Sequence, residues 1–312
     1  MKSMKAVCIY KYGGPEVLVY EDAPCPHPGD GEVLVKVHAA GINPVDWKIR
    51  EGHLQEMLHS TLPLILGWDV SGVVTALGSN LVLLKEGDEV FSHPDVARDG
   101  AYAEYIVIKE AEVALKPKSV DHVHAAAMPL AGLTAWQTLF DAGGLEPGQR
   151  VLIHAAAGGV GSIAVQLAKW KGAVVIGTAS EQNHVFLRKL GVDQVIDYER
   201  ERFEDTVAPV DVVLDTMGGE IQERSWKVLK PGGILVSTVS PPSQEKAAAR
   251  GVRQAFVFTK PNSSQLAEIA RLADEDKLKA IVETILPLSD ATRGQELSKR
   301  GHTRGKIVLR IV

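Results

Sequence analysis

The chain has 312 residues, of which 45% are hydrophobic and 23% are charged, and its formal net charge is −5. This composition is typical of a globular protein, and the length predicts about two domains. The negative charge gives no electrostatic reason to bind nucleic acid or an anionic membrane. No apolar run approaches the length of a membrane-spanning helix. We therefore expect neither nucleic acid nor a membrane as a partner.

The first residues, MKSMKAVCIYKYGG, contain no apolar segment of the kind found in secretory signals. The two cysteines of the chain, Cys8 and Cys25, cannot build a disulfide framework. Both observations predict a reduced protein that is located in the cytoplasm.

The order of predicted elements changes along the chain. Residues 1–120 are β-rich, with predicted strands at 5–10, 31–42, 71–78 and 103–108 between Gly, Pro and Asp turns. Helical patterns then alternate with predicted strands at 151–153, 173–179, 194–198, 211–217, 232–238 and 255–259. Such alternation is typical of a doubly wound parallel sheet. A predicted helix at 265–278 and a closing strand at 306–312 follow.

These patterns predict an α/β protein with two domains. Residues 124–260 form the parallel-sheet domain, and residues 1–123 together with residues 261–312 form the β-rich domain. We expect the tail of the chain to return and complete the first domain. A nucleotide is then expected to bind in the cleft between the two domains.

A glycine-rich turn lies between a predicted strand and an amphipathic helix. It reads Ala156-Ala157-Gly158-Gly159-Val160-Gly161, which is the dinucleotide-binding fingerprint with alanine in its first position. Gly158 lets the backbone approach a pyrophosphate, and Gly161 lets the helix pack on the strand. The helix N-terminus then offers N–H groups to the phosphates. The alternative is a glycine turn of another α/β protein, but the flanking strand and helix favour the fingerprint. We expect Ala156, Gly158, Gly159, Val160 and Gly161 to bind the cofactor.

The end of the second strand predicts which nicotinamide cofactor binds. NAD-preferring sites carry an acid there for the ribose 2′-hydroxyl, whereas this chain has Thr178 and Ser180. A hydroxyl can donate to a 2′-phosphate, and Asn183 and Tyr198 offer further donors. Glu181 is the counter-evidence, because it lies near the spacing at which the ribose acid is expected. We predict NADPH, bound in part by Thr178, Ser180, Asn183 and Tyr198.

Ten short motifs occur in the order found in one protein family. The motifs are GGPEVL (13–18), GINPVDWKIR (41–50), GWDVSGVV (67–74), GDEVF (87–91), GAYAEY (100–105), PLAGLTAW (129–136), HAAAGGVG (154–161), LGVDQVIDY (190–198), LKPGGILV (229–236) and RGKIVL (304–309). On these motifs the chain resembles the medium-chain dehydrogenase/reductase superfamily, and specifically its zinc-free quinone oxidoreductase and enone reductase branch.

The resemblance implies a β-rich GroES-like catalytic domain beside a Rossmann nucleotide-binding domain. Within the shared motifs, it implies that Thr134 and Lys306 also bind the cofactor. It further implies a homodimer, with edge strands of two nucleotide domains paired into one sheet. The apolar run at 255–259 is the candidate edge, because an uncovered edge of this kind needs a partner.

The ligand positions of the family's zinc-dependent members are changed in this chain. Where those enzymes have a cysteine, this chain has Asn43, and where they have a histidine, it has Trp68. An amide and an indole do not replace a thiolate and an imidazole on zinc. Val45 stands in place of the hydroxyl residue that relays the alcohol proton. We therefore expect no metal.

The expected reaction follows from this change. Without a strong Lewis acid, hydride transfer from NADPH to a quinone, or to the C=C bond of an α,β-unsaturated carbonyl, is easier than alcohol oxidation. Negative charge then grows on the acceptor oxygen, where Asn43 and Lys48 can donate. Asp46 either holds this loop or binds a ribose. Trp47 and Trp68 either line a flat apolar pocket or pack in the core, and Lys48 is alternatively an exposed helical lysine.

Asn43, Lys48 and Asp46 are thus the candidate catalytic residues of a cytoplasmic, homodimeric enzyme that reduces a small quinone or conjugated carbonyl. Two alternatives stay open. One is a zinc-type alcohol dehydrogenase with atypical ligands. The other is an NADPH-binding protein with little turnover, like the lens crystallins that resemble this family.

Overall fold

The computed structural model describes residues 3–58 and 61–312 of the chain. It divides into two compact units. Unit 1 comprises Met1–Leu130, Lys260–Asp276 and Ala280–Val312, and unit 2 comprises Ala131–Thr259 and Lys277–Lys279. The sequence prediction placed the first boundary at 123/124 instead. The observed boundary lies later, because Ala126 and Ala127 pack with Ala39 and Val308 in a buried cluster of unit 1.

Strands make up most of the regular structure of unit 1 and form one sheet of unit 2. In chain order they are β1 (Ser3–Ile9), β2 (Leu18–Pro24), β3 (Glu32–Ile42), β4 (Leu64–Ile65), β5 (Val70–Leu77), β6 (Glu89–Ser92), β7 (Tyr105–Lys109), β8 (Val113–Leu115), β9 (Arg150–Ile153), β10 (Val174–Ala179), β11 (Gln194–Asp197), β12 (Val210–Asp215), β13 (Leu229–Ser237), β14 (Arg253–Phe256), β15 (Val282–Pro287) and β16 (Lys306–Arg310).

The helices are mostly short, and the longer ones occur after residue 158. They are α1 (Pro44–Arg50), α2 (Gln55–Leu58), α3 (His122–Ala125), α4 (Pro129–Trp136), α5 (Gly159–Trp170), α6 (His184–Lys189), α7 (Phe203–Thr206), α8 (Gly219–Ser225), α9 (Gln244–Ala249), α10 (Ser263–Asp274) and α11 (Ala291–Arg300). A π-helical segment, Gln137–Ala142, continues α4. Of the helices in the described part of the chain, none has both the length and the apolarity needed to cross a bilayer.

The strands of unit 1 form two sheets around a shared apolar core. One sheet has the order β2-β1-β4, and the other has the order β15-β16-β3-β5-β6-β8, with β7 also paired to β3. The last strand, β16, runs antiparallel to β3, with Val308 opposite Gly41 and Leu309 opposite Ala40. The tail therefore supplies strands to the same sheet as the first third of the chain. Trp68 and Tyr102 are fully buried in this core.

Unit 2 is built on a parallel sheet with the order β11-β10-β9-β12-β13-β14. All neighbours in this sheet are parallel. Numbered from β9, the order is that of the doubly wound dinucleotide-binding fold, in which ligands bind outside the carboxyl ends of the strands. The predicted fold class is confirmed: a β-rich domain is combined with a doubly wound parallel sheet.

The predicted boundaries need two corrections near the end of unit 2 and after it. The last strand of the sheet, β14, covers Arg253–Phe256 rather than residues 255–259, and Val257 N–H still donates to Ser237 O at 2.9 Å. The helix predicted at 265–278 ends at Asp274, because Asp276 adopts a left-handed backbone with φ of 57°. Strands β2, β4, β6, β8 and β15 were not predicted. For β4, β6 and β8 the reason is their length, since two to four residues carry too little periodicity to be recognised.

Candidate active site

The glycine-rich turn joins β9 to α5, as the fingerprint predicts. Gly158 is the residue before the helix, and Gly159 and Val160 begin it. A Cβ atom on Gly161 would lie 2.3 Å from Ala155 O, so this position admits glycine alone. A Cβ on Gly158 would meet only Ala155 O, at 3.3 Å, and the space around it is otherwise open. The turn therefore fits a pyrophosphate, which would occupy the space that a side chain at Gly158 would fill.

Thr178 stabilises this turn through two hydrogen bonds. Its hydroxyl accepts a hydrogen bond from the N–H of Ala155 at 3.2 Å, and its carbonyl accepts from the N–H of Ala156 at 3.0 Å. Its side chain is buried. In the structure the hydroxyl of Thr178 positions the glycine-rich turn, and its predicted contact with the cofactor stays a prediction.

His154 completes this support, although the sequence reasoning did not single it out. Its Nδ1 lies 3.3 Å from Thr178 Oγ1, and its Nε2 lies 2.9 Å from Ser225 Oγ. Burial lowers the pKa of His154 to about 4, so the ring is neutral near pH 7. A polar residue at the end of an otherwise apolar strand was the available signal.

Several polar side chains gather where β10 and β11 end. Because Ala179 pairs with Asp197 in the parallel register, the residues that follow each strand lie side by side. Ser180 is partly exposed and accepts a hydrogen bond from Asn183 Nδ2 at 3.3 Å. Tyr198 keeps 50% of its surface exposed. These side chains are accessible to a ligand, as the prediction requires.

Glu181 and Arg200 lie at the same edge of the sheet. Glu181 does not stand alone, because Arg200 Nη2 lies 2.5 Å from its Oε2. The sequence reasoning treated Glu181 only as evidence against NADPH and missed Arg200. Nothing in the local pattern of Arg200 marks it, since its proximity to Glu181 depends on the pairing of two strands.

Thr134 was also predicted to bind the cofactor. The structure places it in α4, where it is buried, and its hydroxyl lies 2.7 Å from the hydroxyl of Thr259. This contact joins the helix to the segment that follows β14.

A second polar cluster lies in unit 1, around the loop that begins α1. Asn43 is buried and precedes the helix. Its Nδ2 donates to Asp69 Oδ2 at 2.8 Å, and its Oδ1 accepts a hydrogen bond from Lys306 Nζ. Because the oxygen faces an ammonium group and the nitrogen faces a carboxylate, the orientation of the amide is fixed. One of the two N–H bonds of the amide is used in this way.

Lys306 is the centre of this cluster and is itself buried. Its Nζ donates to Ile42 O at 3.0 Å, to Asp69 Oδ2 at 2.9 Å and to Asn43 Oδ1. An ammonium group has three N–H bonds, and these contacts use all of them. Lys306 thereby positions Asn43, and its predicted contact with the cofactor stays a prediction.

Asp46 stabilises the same loop and is fully buried. Its Oδ2 accepts hydrogen bonds from the N–H of Asn43 at 2.8 Å and from the hydroxyl of Tyr102 at 2.7 Å. Burial raises the pKa of Asp46 to about 7. Of the two roles considered for Asp46, the structure supports holding the loop. Its contacts are those of a positioning residue, while its catalytic role stays a prediction.

Lys48 differs from its charged neighbours because its side chain makes no hydrogen bond or ion pair with residues 3–58 or 61–312. Its Nζ lies 5.7 Å from the centre of the Trp47 ring. Partial burial lowers the pKa of its ammonium group. Its N–H bonds are thus free for a ligand. Trp68, in contrast, is a core residue whose Nε1 donates to Arg98 O at 3.0 Å, so it does not line a pocket.

Known families match both parts of the chain. Residues 29–118 match the model described as alcohol dehydrogenase GroES-like domain, and residues 190–309 match the model described as zinc-binding dehydrogenase. The 2-methylene-furan-3-one reductase of Solanum lycopersicum is 38% identical over 98% of this chain and 79% of its own length. The chain belongs to the medium-chain dehydrogenase/reductase superfamily.

Further relatives specify the branch of the superfamily. The NADPH-dependent alkenal/one oxidoreductase, chloroplastic, of Arabidopsis thaliana is 36% identical over 99% of this chain and 80% of its own length. The solved quinone oxidoreductase of Coxiella burnetii is 38% identical, with a TM-score of 0.94 over 100% of both chains. The chain is therefore an oxidoreductase of the quinone oxidoreductase and enone reductase branch.

The positions of the zinc ligands in the zinc-dependent members of the superfamily carry other residues in this chain. Asn43 and Trp68 stand where the zinc-dependent members have their ligands, and each has other partners: Lys306 and Asp69 for Asn43, and Arg98 O for Trp68. Among residues 3–58 and 61–312, no group of three His, Cys, Asp or Glu side chains is arranged to hold a metal ion. The amide of Asn43 and the indole of Trp68 do not offer the thiolate and the imidazole that bind zinc in those members.

Proposed function

We propose that the chain is an NADPH-dependent reductase of a quinone, or of the C=C bond of an α,β-unsaturated carbonyl, and that it works without zinc. One observation carries the proposal. Asn43 stands at the position of a zinc ligand, and Lys306 Nζ binds its amide oxygen, the one atom of that side chain that could coordinate a metal. Reduction of an electron-poor acceptor is the reaction of this family that needs no such ligand.

The residues that would hold the cofactor lie in unit 2. The turn from Gly158 to Gly161 would receive the pyrophosphate, and the end of β10 would receive the adenosine ribose. Ser180 and Tyr198 carry accessible hydroxyl groups there, and Arg200 carries a guanidinium group. NADPH, when bound, supplies the hydride. The Arabidopsis relative is named as NADPH-dependent, which supports the same choice.

Lys48 and Asn43 are the residues proposed to stabilise the acceptor oxygen. Negative charge grows on this oxygen as the acceptor carbon is reduced, and donors that are already in place stabilise it. Lys48 has unpaired N–H bonds, and its lowered pKa makes its ammonium group a stronger acid than an exposed lysine. Lys306 and Asp46 act through Asn43, because they fix the orientation of its amide and its backbone N–H.

The direct test is a comparison of three matched substrates. NADPH oxidation is measured with a quinone and with a 2-alkenal, and NADP⁺ reduction is measured with the saturated alcohol. We expect reduction of at least one conjugated acceptor, and we expect that activity to survive exhaustive chelation. Robust alcohol oxidation with neither conjugated acceptor reduced would overturn the proposal. Stoichiometric zinc that is lost together with activity would overturn its zinc-free part, and tight NADPH binding without turnover would favour the crystallin-like alternative.

We also propose that the chain forms a homodimer through β14. This strand is an edge of the parallel sheet, and Phe256 and Phe258 keep 40% and 37% of their surface exposed. Pairing two edges about a twofold axis would cover them in an isologous interface. The cytoplasm stays a prediction for the location of the chain, since the Arabidopsis relative is named as chloroplastic. Cell fractionation tests it.

A further inference from the structure

Two exposed side chains of opposite charge meet at the carboxyl ends of β10 and β11. Glu181 follows β10, Arg200 follows β11, and Arg200 Nη2 lies 2.5 Å from Glu181 Oε2. The two side chains keep 63% and 68% of their surface exposed. Water screens an ion pair of this kind, so it contributes little to stability. The guanidinium group can therefore leave Glu181 without unfolding the loop.

The backbone that carries Arg200 is held in place by Asp197. The carbonyl of Asp197 accepts hydrogen bonds from the N–H of Arg200 at 3.1 Å and from the N–H of Glu201 at 2.8 Å. Asp197 Oδ1 accepts from the N–H of Glu199 at 3.1 Å, and its Oδ2 lies 3.6 Å from Arg200 Nε. The turn is thus fixed, while the outer part of the Arg200 side chain is free to reorient.

Glu181 and Arg200 favour opposite cofactors. A carboxylate near this point accepts a hydrogen bond from the ribose 2′-hydroxyl of an NAD-type cofactor, and an arginine nearby accommodates the 2′-phosphate of an NADP-type cofactor. Glu181 alone would repel the phosphate. Arg200 alone would bind it through two parallel N–H bonds, which is the strongest form of such a contact. While the two side chains are paired, Glu181 competes with the 2′-phosphate for Arg200, and Arg200 competes with the 2′-hydroxyl for Glu181.

We propose that the Glu181–Arg200 pair selects the cofactor, an inference that rests on the proposed dinucleotide function. With NADPH, Arg200 turns from Glu181 to the 2′-phosphate. With NADH, the carboxylate of Glu181 accepts the ribose 2′-hydroxyl. The chain therefore binds both cofactors. Its preference is set by the competition between Glu181 and the 2′-phosphate for one guanidinium group.

Binding of two nucleotide fragments tests the proposal without any turnover. Calorimetry measures the affinity of 2′,5′-ADP, which carries the phosphate, and of 5′-AMP, which carries the hydroxyl. We expect Arg200→Gln to lower the affinity for 2′,5′-ADP by about tenfold, equivalent to about 1.4 kcal/mol, and to leave the affinity for 5′-AMP unchanged. We expect Glu181→Gln to raise the affinity for 2′,5′-ADP and to lower the affinity for 5′-AMP. In the double variant, the gain from Glu181→Gln should be smaller, because no guanidinium group is left to release and only the repulsion between carboxylate and phosphate is relieved.

Arg250→Gln is the matched control, since it removes an equal charge from an exposed position after α9. It should leave the ratio of the two affinities unchanged, and thermal melting checks that every variant is folded. Equal changes of both affinities in Arg200→Gln, or a gain from Glu181→Gln that is undiminished without Arg200, would overturn the proposal. The fragments contain no nicotinamide, so a failure of the acceptor screen leaves this test intact. If neither fragment binds, both the selection and the proposed cofactor are wrong.

Discussion

Lys306 Nζ and Asp69 Oδ2 lie 2.9 Å apart, and the two side chains keep only 6% and 0% of their surface exposed. Removing one member of a buried ion pair leaves the other charged and unpaired, which costs about 3–5 kcal/mol. We expect Lys306→Met to lower the free energy of unfolding by about this amount in urea denaturation. Lys246→Met is the control, because Lys246 pairs with Glu223 at 52% and 45% exposure. Equal losses of unfolding free energy in Lys306→Met and Lys246→Met would contradict the stabilising role of the buried pair.

The titration of Asp46 should make stability depend on pH. Its folded pKa is raised to about 7, whereas the pKa in an unfolded chain is about 3.9. The folded protein therefore holds a proton that the unfolded chain releases. This contribution to stability is fully present below about pH 4 and is lost as the pH rises to about 7. Asp46→Asn cannot titrate, so the free energy of unfolding of the wild type relative to this variant should fall over that range. A difference that stays constant with pH would show that Asp46 is charged throughout.

Lys48→Ala should lower kcat and kcat/KM together. If the N–H bonds of Lys48 bind the acceptor oxygen mainly in the transition state, the loss can reach about 100-fold, as for one oxyanion donor. Lys299→Ala is the matched control, because Lys299 Nζ also lies 5.4 Å from the Trp47 ring but donates to Glu51 Oε1 at 2.7 Å. Steady-state kinetics with NADPH and the better acceptor measure both variants. If Lys48→Ala leaves kcat and kcat/KM unchanged, Lys48 is a solvated surface residue without a role in the reaction.

Ser180→Asp should reverse or abolish the preference for NADPH. We expect the wild type to bind NADPH at least about tenfold more tightly than NADH, which is about 1.4 kcal/mol. An acid at position 180 would repel the 2′-phosphate and accept the 2′-hydroxyl of NADH. Ser180→Asn, which has a similar size and no charge, separates the effect of charge from that of volume. Titration of both cofactors checks the result, and equal or tighter NADH binding by the wild type would contradict the prediction.

Phe256→Lys should weaken the proposed dimer. Phe256 lies on the edge strand β14 with 40% of its surface exposed, and a charge on an edge strand opposes edge-to-edge pairing. Val185→Lys adds the same charge on α6, where Val185 keeps 63% of its surface exposed, and should leave the dimer intact. Light scattering at micromolar concentration measures the mass of each variant. A wild type that is monomeric under these conditions would disprove the dimer.

The turn from Gly158 to Gly161 could be predicted from the sequence because all of its requirements are local. A strand, a turn and a helix follow one another within a short stretch, and each glycine has a steric reason that the spacing alone reveals. The parallel sheet was predictable for the same reason, since every strand is followed by its own crossover. The edge strand β14 was recognised by its apolar run, with an error of two residues at its start.

The polar cluster around Asn43 could not be predicted in the same way. Asn43 and Lys306 are separated by 263 positions in the chain, and no periodicity relates them. The sequence therefore did not predict that Lys306 contacts Asn43 or that Thr178 contacts the glycine-rich turn. Arg200 was missed because its proximity to Glu181 follows from the register of β10 and β11.

The pairing of β16 with β3 has a consequence for how the chain folds as it is made. Synthesis proceeds from the N-terminus, and domains fold as units. The sheet of unit 2 comes from one continuous stretch, β9 to β14, so it can close while the tail is still on the ribosome. Unit 1 cannot complete its fold until the tail has been synthesised, because β16 supplies the partner of β3 and Lys306 supplies the countercharge of Asp69. The part of the molecule that is synthesised first is therefore the last to finish folding.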